Sequence, residues 1–208
     1  MTANTREFLN LFRYKILVCF VTAAALGVPA SAQDSVLQLD PAKTEIKFTL
    51  DAALHSVHGN FHLTKGAVQL SPATGKLSGE IIVNAKSGES GSGMRDRKMH
   101  KDVLESETYS EISFRPDRAE GTVASEGKSS VKVHGIFSIH GVEREITVPA
   151  EVEMASDHWS ATLHFTIPYA KWGMKNPSTL FLRVSDSVEI EISAAGSLSR
   201  STSATATQ

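Results

Sequence analysis

Residues 36–196 alternate apolar and polar side chains with a period of two, and this pattern constrains the fold more than any other feature of the 208-residue chain. In the clearest segment, Ile46, Phe48 and Leu50 fall on one face of an extended chain. About eight segments share the pattern, and turn-forming residues separate neighbours, as at His140-Gly141. The pattern therefore predicts an all-β protein with eight antiparallel strands. The apolar positions of the other segments are Val57, Gly59, Phe61 and Leu63; Leu77, Gly79, Ile81 and Val83; Ile112 and Phe114; Val131, Val133, Gly135, Phe137 and Ile139; Ile146, Val148, Ala150 and Val152; Trp159, Ala161, Leu163, Phe165 and Ile167; Val188, Ile190 and Ile192.

Eight antiparallel strands that each have one apolar face can close into a barrel. Such a barrel is either filled by its own side chains or holds one small ligand. Gly59, Gly79 and Gly135 occupy apolar positions where large side chains are expected. They indicate either bends at barrel corners or space for a guest molecule. The alternation alone leaves the filled barrel and the ligand-binding barrel both open.

Residues 94–106 are the one stretch with a helical pattern. Charged residues are dense there, and Met99, Val103 and Leu104 form a narrow apolar stripe. The preceding Gly/Ser-rich run, residues 87–93, predicts a flexible loop with hydroxyl groups that can cap a helix. We therefore expect a short helix, or flap, across one end of the barrel. It is either a solvated lid or a gate over a ligand cavity.

Residues 1–32 have the parts of a secretory signal peptide. Basic residues precede the apolar run 16–26, and Ala30-Ser31-Ala32 predicts cleavage after Ala32, with export to the periplasm or beyond the cell. The run is too short to span a bilayer, and no later segment has about 18 uninterrupted apolar residues. The only cysteine, Cys19, lies within this signal, so the exported domain is expected to depend on its core alone.

Residues 33–196 are then predicted to form one domain, followed by a disordered tail, residues 197–208, made mostly of Ser, Thr and Ala. Loss of the signal removes three basic residues and Glu7, which leaves 18 Lys plus Arg against 22 Asp plus Glu. This acidic balance argues against a nucleic-acid partner.

Metal and catalytic sites are not predicted. His58 and His62 share a face of one strand but lie about 13 Å apart at about 3.3 Å per residue, too far to bind one ion without neighbouring strands. His134 and His164 fall on polar faces, where histidine is usually solvated or paired across strands. Residues 88–92 fail the nucleophile elbow of serine hydrolases because Ser92 stands where the second glycine belongs. We therefore predict no enzyme.

Four stretches together resemble the YceI-like family. They are His55-Ser56-Val57-His58-Gly59-Asn60-Phe61, the segment from Arg95-Asp96 to Leu104-Glu105-Ser106, the hairpin Val133-His134-Gly135-Ile136-Phe137-Ser138-Ile139-His140-Gly141-Val142-Glu143-Arg144, and Val184-Ser185-Asp186 leading into Val188-Glu189-Ile190. The resemblance covers roughly residues 36–196. It implies a bacterial, periplasmic or secreted, lipocalin-like barrel that binds polyisoprenoids, and in some cases a homodimer.

The resemblance also implies a long apolar ligand, such as a polyisoprenoid or a quinone tail, held in the barrel beneath the flap, with no other cofactor. One isoprene unit offers roughly 3 to 4 kcal/mol on burial, so several units exceed an association cost on the order of 4 to 15 kcal/mol. A structural or stress-response barrel with a packed core, or a histidine metal-binding protein, are the alternatives. The candidate ligand-facing residues, taken from the apolar strand phases and the flap stripe, are Phe48, Phe61, Ile81, Met99, Phe114, Phe137 and Phe165.

Overall fold

The structure is a computed structural model that describes residues 33–180 and 183–200. Within these residues the chain forms nine strands and one short α-helix. Two 3-10 turns, Pro41–Lys43 and Tyr169–Trp172, and one π-helical turn, Met99–Val103, complete the regular structure. The elements are β1 Ser35–Leu39, β2 Glu45–Leu50, β3 Val57–Ser71, β4 Lys76–Glu89, α1 Gly93–Lys98, β5 Glu111–Glu120, β6 Gly127–Ile139, β7 Val142–Met154, β8 His158–Ile167 and β9 Val188–Arg200.

The strands form one antiparallel sheet that closes on itself. Sequential neighbours pair from β2 to β9, β9 pairs with β2, and the pairing of β3 with β4 belongs to the same ring. β1 and β2 occupy a single position in this ring, because both lie between β3 and β9, with β1 against the Ala67 end of β3 and β2 against its Val57 end. Proline at the start of the Pro41–Lys43 turn interrupts what is otherwise one strand. The predicted eight-stranded antiparallel barrel is therefore confirmed, with one strand position split in two.

The predicted hairpin between β6 and β7 is also confirmed. His140 and Gly141 form a two-residue turn with φ values of 55° and 72°, and the flanking residues Ile139 and Val142 are paired. Positive φ at both central residues is the geometry that matches the twist of the strands. The turn fixes the register, which places Gly135 opposite Ile146.

The glycines predicted to mark corners or guest space do two different things. Gly79 has φ of 128° beside an irregularity in the pairing of β4 with β5, so it marks a bend. A side-chain carbon at Gly59 would collide with the ring of Phe48. These glycines do not open space for a guest, because aromatic rings fill the room: at Gly135, a carbon would meet the Phe114 ring 2.9 Å away.

The predicted start of a disordered tail at residue 197 is wrong. β9 continues through Arg200, where Ser197 pairs with Gln38 and Leu198 pairs with Leu37. Backbone hydrogen bonds do not require apolar side chains, and Leu198 alone is buried enough to anchor this end of the strand in the core. The remaining predicted tail residues, 201–208, lie outside the described residues, as does the predicted signal peptide, residues 1–32. Among the described residues, no helix is long and apolar enough to cross a bilayer.

Candidate ligand-binding site

The barrel encloses two adjoining cavities. The inner chamber has a volume of about 180 Å³ and lies beside β1, where Leu37 and Trp159 contribute to its wall. The outer chamber has a volume of about 410 Å³ and extends to α1 and the segment after β8. Both chambers are lined mainly by aliphatic and aromatic side chains, and they share a wall. The residues common to both are Ile46, Val83, Ile112, Phe137, Phe165 and Ile192.

The seven predicted ligand-facing residues all line this lumen. Phe48, Phe61 and Met99 lie in the outer chamber, and Ile81 and Phe114 lie in the inner chamber. The other two, Phe137 and Phe165, belong to the wall common to both chambers. The structure thus brings the seven residues into one continuous apolar interior, although not into a single chamber. Whether they contact a ligand stays a prediction.

Alternation explains why these aromatic side chains point inward, since every second residue of a strand faces the lumen. Phe48 is directly opposite Ile190 in β9, and Ile190 is directly opposite Phe165 in β8. The rings of Phe48 and Phe61 are 5.5 Å apart between centroids and tilted by 47°, a favourable arrangement for an aromatic pair. The outer chamber therefore has a wall made of rigid rings.

The predicted flap covers part of the outer chamber. α1, Gly93–Lys98, continues directly into the π-helical turn Met99–Val103, which ends with a hydrogen bond from the Leu104 N–H to the Met99 carbonyl. The predicted stripe of Met99, Val103 and Leu104 lines the chamber, and Leu104 is buried. The π-helical turn keeps Met99 and Leu104, five residues apart, on the same side.

Ser90, just before the flap, is the centre of a polar network that fixes it. The Ser90 N–H donates to Asp96 Oδ1 at 2.9 Å, and the Ser90 hydroxyl also bonds this carboxylate. Arg95 donates from Nε to the Ser90 hydroxyl oxygen and from Nη2 to the Ser90 carbonyl, each at 2.7 Å. Arg95 and Asp96 therefore hold the flap to the end of β4.

His100 makes the second attachment of the flap. Its Nε2 lies 2.8 Å from the Gly88 carbonyl, and its Nδ1 lies 3.0 Å from the hydroxyl of Ser106, a residue with 2% of its surface exposed. Because a carbonyl can only accept, Nε2 carries a proton and donates to Gly88. The ring thus ties both ends of the flap together.

Two expectations about the flap are wrong. Residues 87–89 belong to β4 rather than to a flexible loop, and the N-cap residue Ser92 makes no side-chain capping bond. Asp96 and Asp102 lie among basic residues in the sequence, but in the described part of the chain they form no ion pair with them. Asp96 accepts from Ser90 instead, because a backbone N–H and a hydroxyl are held within reach at the end of the strand.

The segment between β8 and β9 supplies lining residues that the alternation did not reveal. Tyr169 and Met174, 4% and 5% exposed, lie in the wall of the outer chamber, together with Pro177 and Val184. No strand periodicity marks this irregular segment. The only sequence signal was the density of large apolar residues around Gly173, which has φ of 81° and ends the Tyr169–Trp172 turn.

Tyr169 is the one lining residue with a strongly shifted pKa. Burial raises the pKa of its phenol to about 12, and the Asp186 carboxylate adds to the shift. The phenol donates a hydrogen bond of 2.6 Å to the Ser185 carbonyl. Tyr169 is therefore a neutral donor that fastens the segment after β8 to the residues that precede β9.

The few polar groups in the outer chamber lie at its mouth. Ser90, Arg95 and Lys98 line the chamber from the flap and the segment just before it, and His55 lines it from the connection between β2 and β3. The Lys98 ammonium also reaches the Pro177 carbonyl at 3.4 Å. The lumen is therefore apolar in its depth and polar and cationic at its opening.

Three of the histidines weighed as metal ligands, His58, His134 and His164, have other neighbours. His58 Nδ1 lies 3.0 Å from the Thr49 hydroxyl, and His134 Nδ1 lies 2.8 Å from the nearer Asp117 oxygen. His164 is exposed and lies 3.9 Å from Glu189. Within residues 33–180 and 183–200, no group of three His, Cys, Asp or Glu side chains is placed to hold a metal ion.

Comparison with solved structures agrees with this architecture. BcnA of Burkholderia cenocepacia superimposes with a TM-score of 0.63 at 18% identity, covering 76% of this chain and 99% of that structure. A polyisoprenoid binding domain from Saccharophagus degradans, implicated in plant cell wall breakdown, superimposes with a TM-score of 0.58 at 16% identity, covering 76% and 95%. At these identities the similarity establishes the fold.

Sequence comparison identifies the family. A UPF0312 protein of Vibrio cholerae is 26% identical over 151 residues, which cover 70% of this chain and 78% of the relative. A UPF0312 protein of Vibrio parahaemolyticus is 28% identical over 143 residues, covering 66% and 72%. The model of the YceI-like domain matches residues 37–195, the whole of the barrel apart from its terminal residues. The chain therefore belongs to the YceI-like family.

Proposed function

We propose that the protein is an exported carrier that holds a long apolar chain, such as a polyisoprenoid or a quinone tail, in the barrel lumen. The observation that carries this proposal is the outer chamber of about 410 Å³, which is lined by aliphatic and aromatic side chains and adjoins a second apolar chamber. Its volume lies within the range of about 300 to 1,000 Å³ that is usual for small-molecule sites. The polyisoprenoid binding domain of similar fold supports the same class of ligand.

The energetic basis of binding would be burial rather than polar recognition. Each isoprene unit transferred from water to the lumen contributes roughly 3 to 4 kcal/mol, and aromatic walls such as those of Phe48 and Phe61 are already ordered. Little side-chain entropy is lost when the wall is rigid beforehand. The tail would enter first, and a polar head would stay near Arg95 and Lys98 at the mouth.

The packed structural barrel is the weaker alternative. Protein interiors contain few voids larger than a water molecule, because each empty space forfeits van der Waals contacts. Two adjoining chambers of about 180 and 410 Å³ are costly to maintain in a barrel whose only role is structural. We infer export from the N-terminal signal sequence. In the periplasm, a nearby membrane would supply the protein with apolar ligands.

The test is to purify the protein from the periplasm of the bacterium that makes it, extract it with organic solvent and analyse the extract by mass spectrometry. Ile190→Trp places a large ring in the outer chamber between Phe48 and Phe165, so we expect the lipid recovered per protein to fall several-fold. Glu191→Trp adds the same ring on the exposed face of the same strand and should leave the lipid content unchanged. Absence of lipid from the wild-type protein, or equal lipid in both variants, would contradict a luminal carrier.

A further inference from the structure

Three large apolar side chains are largely exposed within the described residues, and they share one location. Leu54, Met94 and Leu180 are 82%, 78% and 90% exposed. Leu54 lies between β2 and β3, Met94 lies in α1, and Leu180 lies between β8 and β9. Single exposed apolar residues are ordinary on protein surfaces, but a group around one opening is a mark of an interaction site.

The three residues surround the mouth of the outer chamber. Leu54 and Met94 are each next in sequence to a residue that lines the chamber, namely His55 and Arg95. Leu180 follows Pro177, another lining residue, by three positions. The exposed apolar side chains therefore project from the segments that form the rim of the lumen.

Hydrogen bonds join these segments into one surface. The Ala53 N–H donates to the Arg183 carbonyl at 2.9 Å, which connects the segment of Leu54 to the segment that follows Leu180. The Lys98 ammonium reaches the Pro177 carbonyl at 3.4 Å, which connects the flap to the same segment. We name the surface formed by residues 51–56, 93–103, 173–180 and 183–187 the mouth surface.

The mouth surface is basic within an acidic protein. It carries six Lys and Arg residues against four Asp and Glu, whereas the whole chain has 21 against 23. Arg97 and Lys101 are exposed and line a surface groove of the flap that Glu105 and Glu107 also line, but in the described part of the chain neither cation forms an ion pair. Exposed apolar side chains beside exposed cations match the chemistry of a bilayer with anionic head groups.

We propose that the mouth surface docks on an anionic lipid bilayer, so that an apolar chain passes between the bilayer and the lumen without crossing water. This inference rests on the proposed carrier function, because the surface surrounds the lumen that would receive the chain. Leu54, Met94 and Leu180 insert among the lipid head groups, and Arg97 and Lys101 bind the phosphates. The opposite end of the barrel, at the turn between β3 and β4, stays in water.

Vesicle flotation of the full mature protein tests the docking surface. We expect the protein to bind vesicles made of equal parts phosphatidylcholine and phosphatidylglycerol, and to bind phosphatidylcholine vesicles more weakly. The triple variant Leu54→Ser, Met94→Ser and Leu180→Ser should reduce binding at least about tenfold. The double variant Arg97→Glu and Lys101→Glu should reduce it by a similar factor, and high salt should reduce wild-type binding.

The control reverses two charges far from the mouth. Lys76→Glu and Lys128→Glu make the same change of net charge on exposed residues at the starts of β4 and β6, at the other end of the barrel, and should preserve most of the binding. An equal loss in the control would show that net charge alone drives association and would overturn the proposed surface. Absence of vesicle binding by the wild-type protein would also overturn it. The exposed residues would then be better explained as a contact site for a protein partner.

The lipid content of the purified variants separates this inference from the proposed function. The triple Ser variant leaves the lumen intact, so when a polyprenol is supplied directly in detergent it should retain as much polyprenol as the wild-type protein while it loses vesicle binding. A wild-type protein that contains lipid in its lumen but does not bind vesicles would refute the docking surface and preserve the carrier. Vesicle binding by a protein whose lumen never contains lipid would refute the carrier instead.

Discussion

Tyr169 shows how one residue of the lumen wall combines structural and chemical roles. Its ring is buried in the outer chamber, while its hydroxyl leaves the apolar surface to donate to the Ser185 carbonyl. Asn176 strengthens the same junction, because its side-chain amide donates to Asp186 Oδ1 at 2.6 Å and to the Val184 carbonyl at 3.1 Å. These bonds order the irregular segment between β8 and β9.

Tyr169→Phe should lower the free energy of unfolding by about 1 kcal/mol at neutral pH, because a buried hydrogen bond is lost. The difference should depend on pH. The phenol ionises near pH 10 in the unfolded chain but only near 12 in the folded protein, so rising pH stabilises the unfolded state first. The advantage of the wild-type protein over the variant should therefore shrink from a pH of about 10 upward. Denaturant unfolding across the alkaline range measures this, and a constant difference up to pH 12 would refute it.

At the scale of elements, the flap combines a fixed backbone with an apolar inner surface. The Ser90 network and His100 attach it to β4 at two points, and Met99, Val103 and Leu104 face the lumen. A side-chain carbon at Gly88 would stand 2.5 Å from the Phe61 ring and 3.0 Å from the Met99 methyl group, so glycine at this position leaves room for both side chains. The charged residues of this stretch thus position the apolar ones.

Met99→Asp should weaken ligand retention while the barrel stays folded. The new carboxylate would lie in the outer chamber, and a charge in this apolar lining opposes an apolar guest. We expect several-fold less extracted lipid, with an unchanged strand signal in circular dichroism. Thr108→Asp adds the same charge at an exposed position just beyond the flap and serves as the control. Equal retention in all three proteins would exclude the flap from ligand binding.

Some elements were predictable because their sequence repeats the period of a strand over many residues. Ile46, Phe48 and Leu50 of β2 and the long hairpin of β6 and β7 belong to this class. β1 was missed because five residues hold too little alternation, and the end of β9 was missed because Ser and Ala pair through their backbone alone. The irregularities within β3, next to Asn60 and Leu63, shift which residues face inward and leave no mark on composition.

At the scale of the whole molecule, the alternation within each strand predicts the barrel. The site depends on contacts between segments distant in sequence, which that alternation does not predict. Six of the seven predicted lumen residues could be chosen from strand phase, because a closed sheet places one phase inside, and Met99 could be chosen from the apolar stripe of the flap. Their division between two chambers could not, since it depends on how far rings such as Phe137 and Phe165 reach across the lumen. The basic, apolar rim is likewise assembled from three segments distant in sequence.

The central claim is that an apolar chain occupies the lumen, and methyl-resolved NMR with a labelled polyprenol tests it most directly. Ligand-free protein carrying ¹³C-labelled Ile, Leu and Val methyl groups would be titrated with the polyprenol, and intermolecular NOEs recorded. We predict NOEs from the polyprenol to luminal methyl groups such as those of Ile139, Val188 and Ile190. We predict none to the exposed Leu54 once the tail is fully enclosed. NOEs confined to surface methyl groups, or no NOEs at saturating polyprenol, would contradict the account.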